Sequence, residues 1–512
     1  MTQFPDPPPA GSAVRTVALG LLLPLGAGAA CVLAFAPFYA WPAAIAALAL
    51  LFATWAWSGS PRQAALSGYA FGLGYFLTGV SWIYVSLHDY GEMHAILAGI
   101  ATFLFCAYLA LFPAITGWLA VRWGGGDRGR RLAFAAALFP AAEWLRGTLF
   151  TGFPWLTIGT SQAPASPLAG FAPWVGGYGV SLAVTAAAAL VAGIFASRAR
   201  APTRLVLAAA LAALFGVGLA ARLPAWTEPD GAPISMALLQ GNIAQEMKWR
   251  DEVRLRTLAL YRDMIEHATA RVVVVPETAL PAFLDQLPDD YLEALRASAK
   301  ARGQDILLGT VERTRRDLHY DYYNSVVRIT GEGAPSYRKR HLVAFGEYIP
   351  PGFAWVLTIL HIPLSDFSRG VATQPPIEAG GTRFAVAICY EDMYGDEVAD
   401  ALPAAGALVN VSNDAWFGHS LEQDQHLQAS QMRALETGRW MVRSTNTGAT
   451  AAIDEHGQVL ARLPAFERGT LTVDIVPRRG ATPFVRWGNS AALGLMALAA
   501  VGAHFARRRG NR

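Results

Sequence analysis

Gly381–Asp396 has the sequence GTRFAVAICYEDMYGD, in which an apolar, β-favouring run ends at a cysteine and two acidic residues follow within three positions. Open α/β sheets place their chemistry at the C-terminal ends of buried strands, and this pattern predicts such a strand with a thiol at its end. The chain has three cysteines, of which Cys31 and Cys106 fall in apolar segments and are typical of small core residues. Cys389 is therefore the candidate nucleophile.

The region around this stretch, from about residue 224 to 486, alternates between strand-like and helix-like segments. Apolar strands that alternate with helices indicate a layered α/β fold whose sheets are covered on both faces. The predicted strands cover 234–243, 271–278, 305–312, 323–330, 384–389 and 407–412, with a final hairpin of 440–453 and 458–463 around His456–Gly457. The predicted helices cover 252–270, 291–302, 397–405 and 421–438.

The composition of the chain indicates that much of it lies in lipid. Of the 512 residues, 53% are apolar and 15% are charged, whereas charged residues make up about 25% of soluble domains. The formal net charge of +3 is close to neutral for this length, so no nucleic-acid partner is indicated. Three cysteines are too few for a disulfide framework.

Eight apolar segments are long enough, or nearly so, to cross a bilayer core of roughly 30 Å. They cover approximately 14–35, 39–57, 66–86, 94–121, 132–149, 168–196, 203–222 and 488–506. We expect no removable signal peptide, because no positively charged segment precedes a cleavage site. The expected organisation is a disordered N-terminus at 1–13, a membrane domain of seven helices at 14–223, the α/β domain at 224–486, and a final membrane helix with a basic tail at 487–512.

The arginines predict the side of the membrane that each part faces, because cytoplasmic loops carry an excess of Lys and Arg. Alternate connections between the spans carry arginines, whereas the connection SLHDYGEMH at 86–94 contains neither Lys nor Arg. The arginines of these connections and of the tail are Arg62, Arg122, Arg128, Arg130, Arg131, Arg198, Arg200, Arg204, Arg507, Arg508, Arg509 and Arg512. With a cytoplasmic N-terminus, this pattern places the α/β domain in the periplasm or outside the cell.

Two connections on the outer side differ from ordinary linkers. Trp82–His94 is rich in aromatic residues, and Glu143–Gln162 combines a Glu143/Arg146 pair with three glycines and two tryptophans. An aromatic belt at the membrane interface explains most of these residues. The alternative is that both loops form a lipid-facing floor beneath the α/β domain, with Glu143 and Arg146 close enough to neutralise each other.

Three ionisable residues at or after strands together form a set suited to acyl transfer. Glu277 follows VVVVP, Lys339 lies in YRKRHLVAFGEY, and Cys389 ends its strand. A free thiol, with a pKa near ~8.5, needs a base before it attacks a carbonyl; a carboxylate can supply the base and an ammonium can stabilise the oxyanion. Singly, each residue has an ordinary explanation, namely core packing, a helix-terminal Pro-Glu device or a solvated basic face. Their joint occurrence in one α/β region favours catalysis.

Several motifs resemble those of one superfamily. VVPETALP, YRKRHLVAFGEYIP and FAVAICYED resemble the Glu, Lys and Cys motifs of the nitrilase, or carbon–nitrogen hydrolase, superfamily. HLVAFGEYIP, ICYED, NVSNDAWFG and GFPWLTIGTSQ resemble its membrane branch, the apolipoprotein N-acyltransferases, as does the layout of eight spans. The resemblance covers nearly the whole chain and implies an αββα sandwich at 224–486. One departure is Ala344, where the family usually has proline, and we expect it to change loop stiffness and not chemistry.

The resemblance implies a role for each of the matching residues. Glu277 would be the general base, Lys339 the cation that stabilises the oxyanion, and Cys389 the nucleophile that becomes a thioester. Supporting roles around these three are implied for Glu347, Glu391, Tyr390 and Asn324.

Three aromatic residues are candidates for the substrate side of the site. Trp249, in QEMKWR, matches a substrate-side aromatic of the family. Trp416 and Phe417, in DAWFG, are a candidate wall, with core packing as the alternative. The apolar segment 353–363, FAWVLTILHIP, is either a core helix or a lid that dips into the membrane, and we prefer the lid.

The implied reaction is an exchange in two steps at a bacterial inner membrane. Cys389 would take an acyl chain from a membrane phospholipid and pass it to the α-amino group of a diacylglyceryl-cysteine at the N-terminus of an apolipoprotein. No cofactor and no metal are implied, because the His, Cys and acidic residues lack ligand spacing. Nothing requires more than a monomer.

Two other functions remain open from the sequence. A membrane-tethered amidase of the nitrilase type would use the same three residues on small amides, with water as the acceptor. A transporter or receptor would bind a ligand in the outer domain without chemistry, although the spans then lack a pattern of intramembrane charges.

Overall fold

Helices predominate in the described part of the first 220 residues, whose sequence is largely apolar and lacks the alternation typical of strands. The computed structural model describes residues 10–196, 201–245, 251–317, 319–331, 335–350, 352 and 366–506. The first helices are α1 Ala10–Cys31, α2 Pro42–Trp57, α3 Pro61–Gly79, α4 Trp82–Val85, α5 Ala95–Gly124, α6 Arg128–Arg146, α7 Ala172–Ala196 and α8 Ala201–Ala220. The remaining helices are α9 Asp251–His267, α10 Asp289–Ala301, α11 Gly395–Ala399, α12 Glu422–Thr437, α13 Pro483–Trp487 and α14 Ser490–Phe505.

Every predicted span coincides with one of these helices, but fewer than eight meet a strict criterion for crossing a membrane. Among the described residues, three stretches are long and apolar enough, namely α5, 167–195 (which includes most of α7) and α8. The bent pair of α3 and Trp82–Tyr90 adds a fourth if it counts as one span. Shorter apolar helices are found at Gly20–Ala34, α2 and α14. Charged residues at both ends of α6 limit its apolar length.

Arginines at the start of α6 join several helix ends at one end of the bundle. Arg130 is buried and donates hydrogen bonds to the carbonyls of Ala503 in α14 and Trp123 in α5, both at 3.1 Å. Arg131 donates to the carbonyl of Ser58, just beyond α2, at 2.7 Å. Guanidinium groups satisfy the unpaired carbonyls that every helix leaves at its C-terminus. The C-terminal ends of α2, α5 and α14 therefore lie at the same end of the bundle as the N-terminus of α6.

The second half of the chain forms two six-stranded sheets and a two-stranded ribbon. The strands are β1 Thr227–Pro229, β2 Ile234–Gln240, β3 Val272–Val275, β4 Asp305–Arg316, β5 His319–Arg328, β6 Ser336–Arg338, β7 Ile377–Ala379, β8 Thr382–Ile388, β9 Ala407–Ser412, β10 Met441–Thr445, β11 Ala451–Ile453, β12 Val459–Arg462, β13 Gly469–Ile475 and β14 Arg478–Gly480. One sheet has the order β13-β2-β3-β4-β5-β6, and the other has the order β12-β11-β10-β9-β8-β7. The central strands β2, β3 and β4 are parallel, as are β8, β9 and β10.

The side chains of each strand alternate between an inner and an outer layer, and this alternation produces a four-layered sandwich. In β2, Met236 and Leu238 pack between the sheets, where they meet Phe384 and other residues of the second sheet. Ala237 and its alternate neighbours face outward and pack against α9 and α10. On the far side of the second sheet, α11 and α12 cover the outward side chains of β8, β9 and β10. The layers are therefore helix, sheet, sheet, helix, as the resemblance implied.

The helix α12 is buried on both faces, because the helical bundle covers the side that the sheet leaves free. Met432 and Leu435 of α12 belong to the same apolar core as the membrane helices. The carboxylate of Glu436 accepts a hydrogen bond from the backbone of Gly177 in α7 at 2.5 Å. The end of the bundle that docks on the α/β domain is opposite the end at which Arg130 and Arg131 lie.

Two details of the predicted secondary structure were wrong. The range 440–453 contains two strands, β10 and β11, and the chain continues past β12 to an antiparallel strand, β13, that pairs with β2 in the other sheet. The helix predicted at 397–405 ends at Ala399 and continues as turns. The hairpin around His456–Gly457 is confirmed as β11 and β12. The alternation in GTLTVDI is the local signal that would have predicted β13.

Candidate active site

Cys389 lies directly after β8, in a strained backbone conformation. Its φ of 55° is in the left-handed region, which is unfavourable for a residue with a side chain. The carbonyl of Cys389 accepts a hydrogen bond of 2.8 Å from the side chain of Asn410 in the neighbouring strand β9. Cys389 is partly exposed, whereas Cys31 and Cys106 are buried in the helical bundle. The only thiol outside the bundle is therefore held at a strand end.

Glu277 follows β3 and Pro276, and the surrounding groups hold its carboxylate on both oxygens. Oε1 accepts a hydrogen bond of 2.7 Å from the side chain of Asn324 and lies 3.4 Å from Nζ of Lys339. Oε2 accepts a hydrogen bond of 2.8 Å from the backbone of Asn413, beyond β9. A buried carboxylate with three donors around it is fixed in one orientation.

Lys339 follows β6 and is almost completely buried, with 1% of its surface exposed. Its Nζ forms an ion pair of 2.8 Å with Glu347, and Asn324 bonds the same Glu347 oxygen at 2.9 Å. The backbone of Lys339 also donates to the carbonyl of Asn324 at 2.8 Å. Asn324, on β5, therefore connects Glu277, Lys339 and Glu347, a set in which the sequence predicted every member.

Glu391 ties the turn that bears the thiol to the loop that bears Lys339. One of its oxygens accepts hydrogen bonds from the backbone of Ile388 at 2.8 Å and from the hydroxyl of Tyr337 at 3.1 Å. The other accepts from the backbones of Arg340 and His341, at 2.8 and 3.1 Å. Burial raises the pKa of Glu391 to about 7, although the backbone donors and Lys339 work to lower it. Four donors around one carboxylate favour the ionised form.

Burial, together with the carboxylate of Glu277, keeps the thiol of Cys389 protonated at rest. Burial raises the pKa of Cys389 well above its ordinary value, Glu277 raises it further, and Lys339 works to lower it. Burial also works to lower the pKa of Lys339, but Glu347, Glu277 and Cys389 outweigh it, and the net pKa is raised. The site at neutral pH therefore holds a thiol beside an ammonium, and a carboxylate is available to accept the proton.

Of the other predicted site residues, the structure describes Tyr390 but not Trp249. The hydroxyl of Tyr390 donates to the carbonyl of Leu342 at 2.8 Å, and its ring lies 5.6 Å from Nζ of Lys339. Trp249 and the predicted lid at 353–363 lie outside the described residues.

Phe417 and Trp416 face the helical bundle and are half-buried. The ring of Phe417 packs edge to face on Trp82 with centroids 5.0 Å apart, and the ring of Trp416 lies 6.4 Å from that of Tyr90. Both partners belong to the predicted outer connection Trp82–His94. The DAWFG segment is therefore a contact between the α/β domain and the bundle.

The second outer connection also contacts the site. His341 and Tyr394 stack with ring centroids 3.8 Å apart, and both bond the carbonyl of Thr151, at 2.8 and 3.2 Å. Glu143 and Arg146, which we expect to lie close enough to neutralise each other, both bond the backbone of the loop that follows them. Glu143 accepts from Ile158 at 2.8 Å, and Arg146 donates to Phe153 at 2.7 Å. The two outer connections thus form the surface on which the α/β domain rests.

Sequence reasoning missed several polar residues that support the site. Asn410 is a polar side chain within the apolar strand ALVNVS, and that pattern is a local signal that could have indicated a role. Asn413 contributes only a backbone N–H, which no pattern of side chains predicts. Asp414, Glu422 and His426 lie close enough together, within 4.8 Å, to be considered as metal ligands, which the sequence did not indicate.

The family models that match the chain cover both halves. Residues 27–190 match the apolipoprotein N-acyltransferase N-terminal domain, and residues 235–483 match the carbon–nitrogen hydrolase family.

Two relatives that match over nearly the whole chain have the same name. Apolipoprotein N-acyltransferase from Nitrosomonas europaea is 49% identical over 96% of this chain and 98% of its own length. The enzyme of the same name from Methylococcus capsulatus is 46% identical over 96% of this chain and 97% of its own length. Among solved structures, a mutant amidase of the nitrilase superfamily from Nesterenkonia is 17% identical, covers 51% of this chain and 97% of its own, and has a TM-score of 0.37.

Proposed function

The chain belongs to the apolipoprotein N-acyltransferase family, enzymes of lipoprotein maturation that act on apolipoproteins and phospholipids, and from this we propose that Cys389 carries the acyl group as a thioester. The observation that supports this most directly is the convergence of three strand ends. The buried side chains of Glu277 and Lys339 are joined through Asn324 and Glu347, and both interact electrostatically with the partly exposed thiol of Cys389.

In the first step, Glu277 accepts the proton of the Cys389 thiol as the sulfur attacks the ester carbonyl of a membrane phospholipid. The new C–S bond leaves negative charge on the carbonyl oxygen, and the Lys339 ammonium stabilises it. The ester C–O bond then breaks, and the departing lysophospholipid takes the proton from Glu277. The raised pKa of Cys389 supports the need for this base, since the thiol is not already ionised at rest.

In the second step, the α-amino group of a diacylglyceryl-cysteine attacks the thioester. Glu277 accepts the amine proton, Lys339 again stabilises the oxyanion, and the C–S bond breaks as the sulfur regains a proton. The products are the N-acylated lipoprotein and the free thiol. The same two residues therefore serve both half-reactions. Glu347 holds the ammonium of Lys339, and Glu391 holds the loop of Lys339 against the turn of Cys389.

We propose that eight helices cross the bacterial inner membrane and that the α/β domain, 224–486, lies in the periplasm. The arginines that bond helix ends at one end of the bundle support a cytoplasmic location for that end. The α/β domain docks at the opposite end. The proposed divisions are the segment 1–13, the membrane domain 14–223, this domain, and the helix and tail 487–512, acting as a monomer.

The test of the carrier role is intact-mass analysis of the purified protein incubated with phospholipid vesicles. We expect the wild type to gain the mass of one acyl chain and Cys389→Ala to gain none. Hydroxylamine, which cleaves thioesters, should remove the adduct, and a peptide with a diacylglyceryl-cysteine N-terminus should discharge it. Cys106→Ala, which removes a thiol buried in the bundle, is the matched control and should keep the adduct.

Two outcomes would contradict the proposed role of Cys389. One is a wild type that gains no acyl mass from phospholipid although it is active, and the other is an adduct that persists in Cys389→Ala. Hydrolysis of the adduct by water at the rate of transfer to the peptide would instead favour the amidase alternative.

A further inference from the structure

Behind the turn that bears the nucleophile lies a cluster of five charged side chains that the proposed chemistry does not use. None of the five has any solvent exposure. They come from four separate elements, namely the turn itself, the segment after β9, the helix α12 and the strand β10, and they are Asp392, Asp414, Glu422, His426 and Arg443. Charged groups are buried at a high cost unless they are paired, so such a cluster needs an explanation.

One member of the cluster reaches the nucleophile. Nε2 of His426 lies 3.3 Å from the carbonyl oxygen of Cys389 and 2.7 Å from Oδ1 of Asp392. The same carbonyl accepts the hydrogen bond from Asn410. The single hydrogen on Nε2 of His426 is shared between Asp392, the nearer acceptor, and the carbonyl of Cys389. Donors from two adjacent elements, β9 and α12, thus converge on the backbone of the one cysteine that has a left-handed conformation.

The imidazole ring of His426 is fixed from several sides. Asp392 receives a second set of bonds on its other oxygen, from Arg443 at 2.7 Å and from Ser430 at 2.5 Å. On its Nδ1 side, His426 faces Glu422 at 3.3 Å and Asp414 at 3.7 Å. Trp155, from the outer connection of the bundle, covers the ring with centroids 5.6 Å apart.

Two interpretations of this cluster compete. Asp414, Glu422 and His426 could bind a divalent cation, because their ligand atoms lie within 4.8 Å of one another. The charges of the cluster favour balance without a metal, however. His426 as a cation and Arg443 offset Asp392 and Asp414, and the guanidinium of Arg443 already lies 3.8 Å from Asp414. Burial and Asp414 raise the pKa of Glu422 to about 7, which lets it be neutral.

We propose that His426 is a positioning residue for the nucleophile: together with Asn410 it fastens the carbonyl of Cys389, while Asp392 and Arg443 hold the imidazole. The strained turn then keeps the thiol directed at Glu277 and Lys339 in both half-reactions. The inference rests on the proposed role of Cys389. It also connects the nucleophile to the bundle, because Trp155 belongs to the surface on which the α/β domain rests.

The test compares His426→Leu, which removes the donor, with His426→Gln, which keeps an N–H of similar reach. We measure the rate of acyl-adduct formation by intact mass, the rate at which iodoacetamide alkylates Cys389, and the melting temperature, all in the full-length protein. The matched control is Thr437→Val, which removes a buried hydroxyl at the far end of the same helix. Zinc and other divalent metals are quantified in the purified wild type.

We expect His426→Leu to slow both reactions of Cys389 by on the order of 10- to 100-fold, the size that misplacement of a reacting group produces. His426→Gln should recover a large part of the rate, and Thr437→Val should react like the wild type. If His426 had only a structural role, His426→Leu and His426→Gln would both lower the melting temperature, and Cys389 would react at the same rate in the two variants.

The inference is overturned if folded His426→Leu is acylated and alkylated at the wild-type rate, or if the wild type holds a stoichiometric divalent metal. If His426→Leu does not accumulate, Asn410→Ser removes the other hydrogen bond to the same carbonyl and is held to the same expectation. A wild type that forms no acyl adduct would count against the proposed function alone, because the alkylation rates still test the positioning of the thiol.

Discussion

The buried carboxylate of Glu277 and the buried ammonium of Lys339 have different roles around Cys389. Lys339 is paired with Glu347 at 2.8 Å and lies farther, at 3.4 Å, from Glu277. Glu347 is therefore the closer ion-pair partner of the lysine, and Glu277 keeps the capacity to accept a proton. Two carboxylates around one ammonium also explain why the pKa of Lys339 is raised although burial opposes it.

Replacement of Glu277 by glutamine tests this division. Glu277→Gln keeps the size of the side chain and the bond to the backbone of Asn413, but it removes the base. We expect thioester formation to slow by roughly 10²–10⁴-fold, the contribution typical of a general base. Single-turnover acylation followed by intact mass measures the rate. Glu293→Gln, at an exposed position of α10, is the control, and a Glu277→Gln rate within a few-fold of that control would remove Glu277 from the mechanism.

At the scale of elements, α12 connects the nucleophile to the membrane helices. Three of its four glutamines lie three residues apart and face the bundle, so their amides bridge the two halves of the protein. Gln425 accepts from the indoles of Trp82 and Trp155 and donates to the carbonyl of Gly79. Gln428 and Gln431 continue the row, bonding Ala36, Ala163, Tyr39 and Gly457. The opposite face of the helix carries His426 and Glu422 toward the turn of Cys389.

Gln425→Leu should therefore weaken the docking of the two halves. The change leaves two indole N–H groups and one carbonyl buried without their partner, at a cost of about 1–3 kcal/mol for each group. We expect a clear fall in melting temperature in detergent, measured by intrinsic fluorescence. Asp424→Ala, the neighbouring residue in a partly exposed ion pair with Arg462, is the control and should change stability by less than about 1 kcal/mol. Equal melting temperatures for the two variants would contradict the docking role.

At the scale of the whole molecule, the arginine-bonded helix ends and the α/β domain lie at opposite ends of the bundle. We therefore expect a reporter fused after Arg512 to lie in the cytoplasm. Two fusions are compared: one to a reporter that fluoresces in the cytoplasm and one to a phosphatase that folds in the periplasm. Each location of the C-terminus then gives a positive signal in one of the two fusions. Phosphatase activity without fluorescence would invert the proposed topology.

The buried carboxyl groups of the α/β domain make its stability depend on pH. Burial raises the pKa of Glu422 from 4.5 to about 7, and Asp414 adds to the rise. Because the folded protein then holds a proton that the unfolded chain releases, this contribution to stability is complete below pH 4.5 and is lost as the pH rises through 7. Burial also raises the pKa of Glu391 and of Glu436 to about 7, so these groups act in the same direction.

We expect the melting temperature to fall as the pH rises from 6 to 8. Glu422 alone contributes on the order of 1 kcal/mol over this interval by linkage, which corresponds to roughly 1–2 °C. Glu422→Gln cannot titrate and should show a shallower dependence, which thermal melts across this pH range in one detergent can measure. Glu228→Gln, at an exposed position, should keep the slope of the wild type. An unchanged slope in Glu422→Gln would show that this carboxyl does not hold the proton.

Patterns in the sequence predicted most of the central strands and the thiol at a strand end, and they singled out Glu277 and Lys339 as its candidate partners. These features are local, because alternation and apolar runs are properties of neighbouring residues. The eight apolar segments were also predicted from neighbouring residues. The charged residues at both ends of α6 leave it an apolar stretch shorter than the predicted span of 132–149.

Several contacts that support the site could be identified only from the folded structure. The backbone of Asn413 bonds Glu277 across 136 residues, and His426 reaches the carbonyl of Cys389 across 37. The sequence predicted a helix at 421–438, but it did not show that the membrane helices would cover one face of α12 and bury its glutamines. Contacts of this kind depend on which elements pack together, and no pattern within a single segment contains that information.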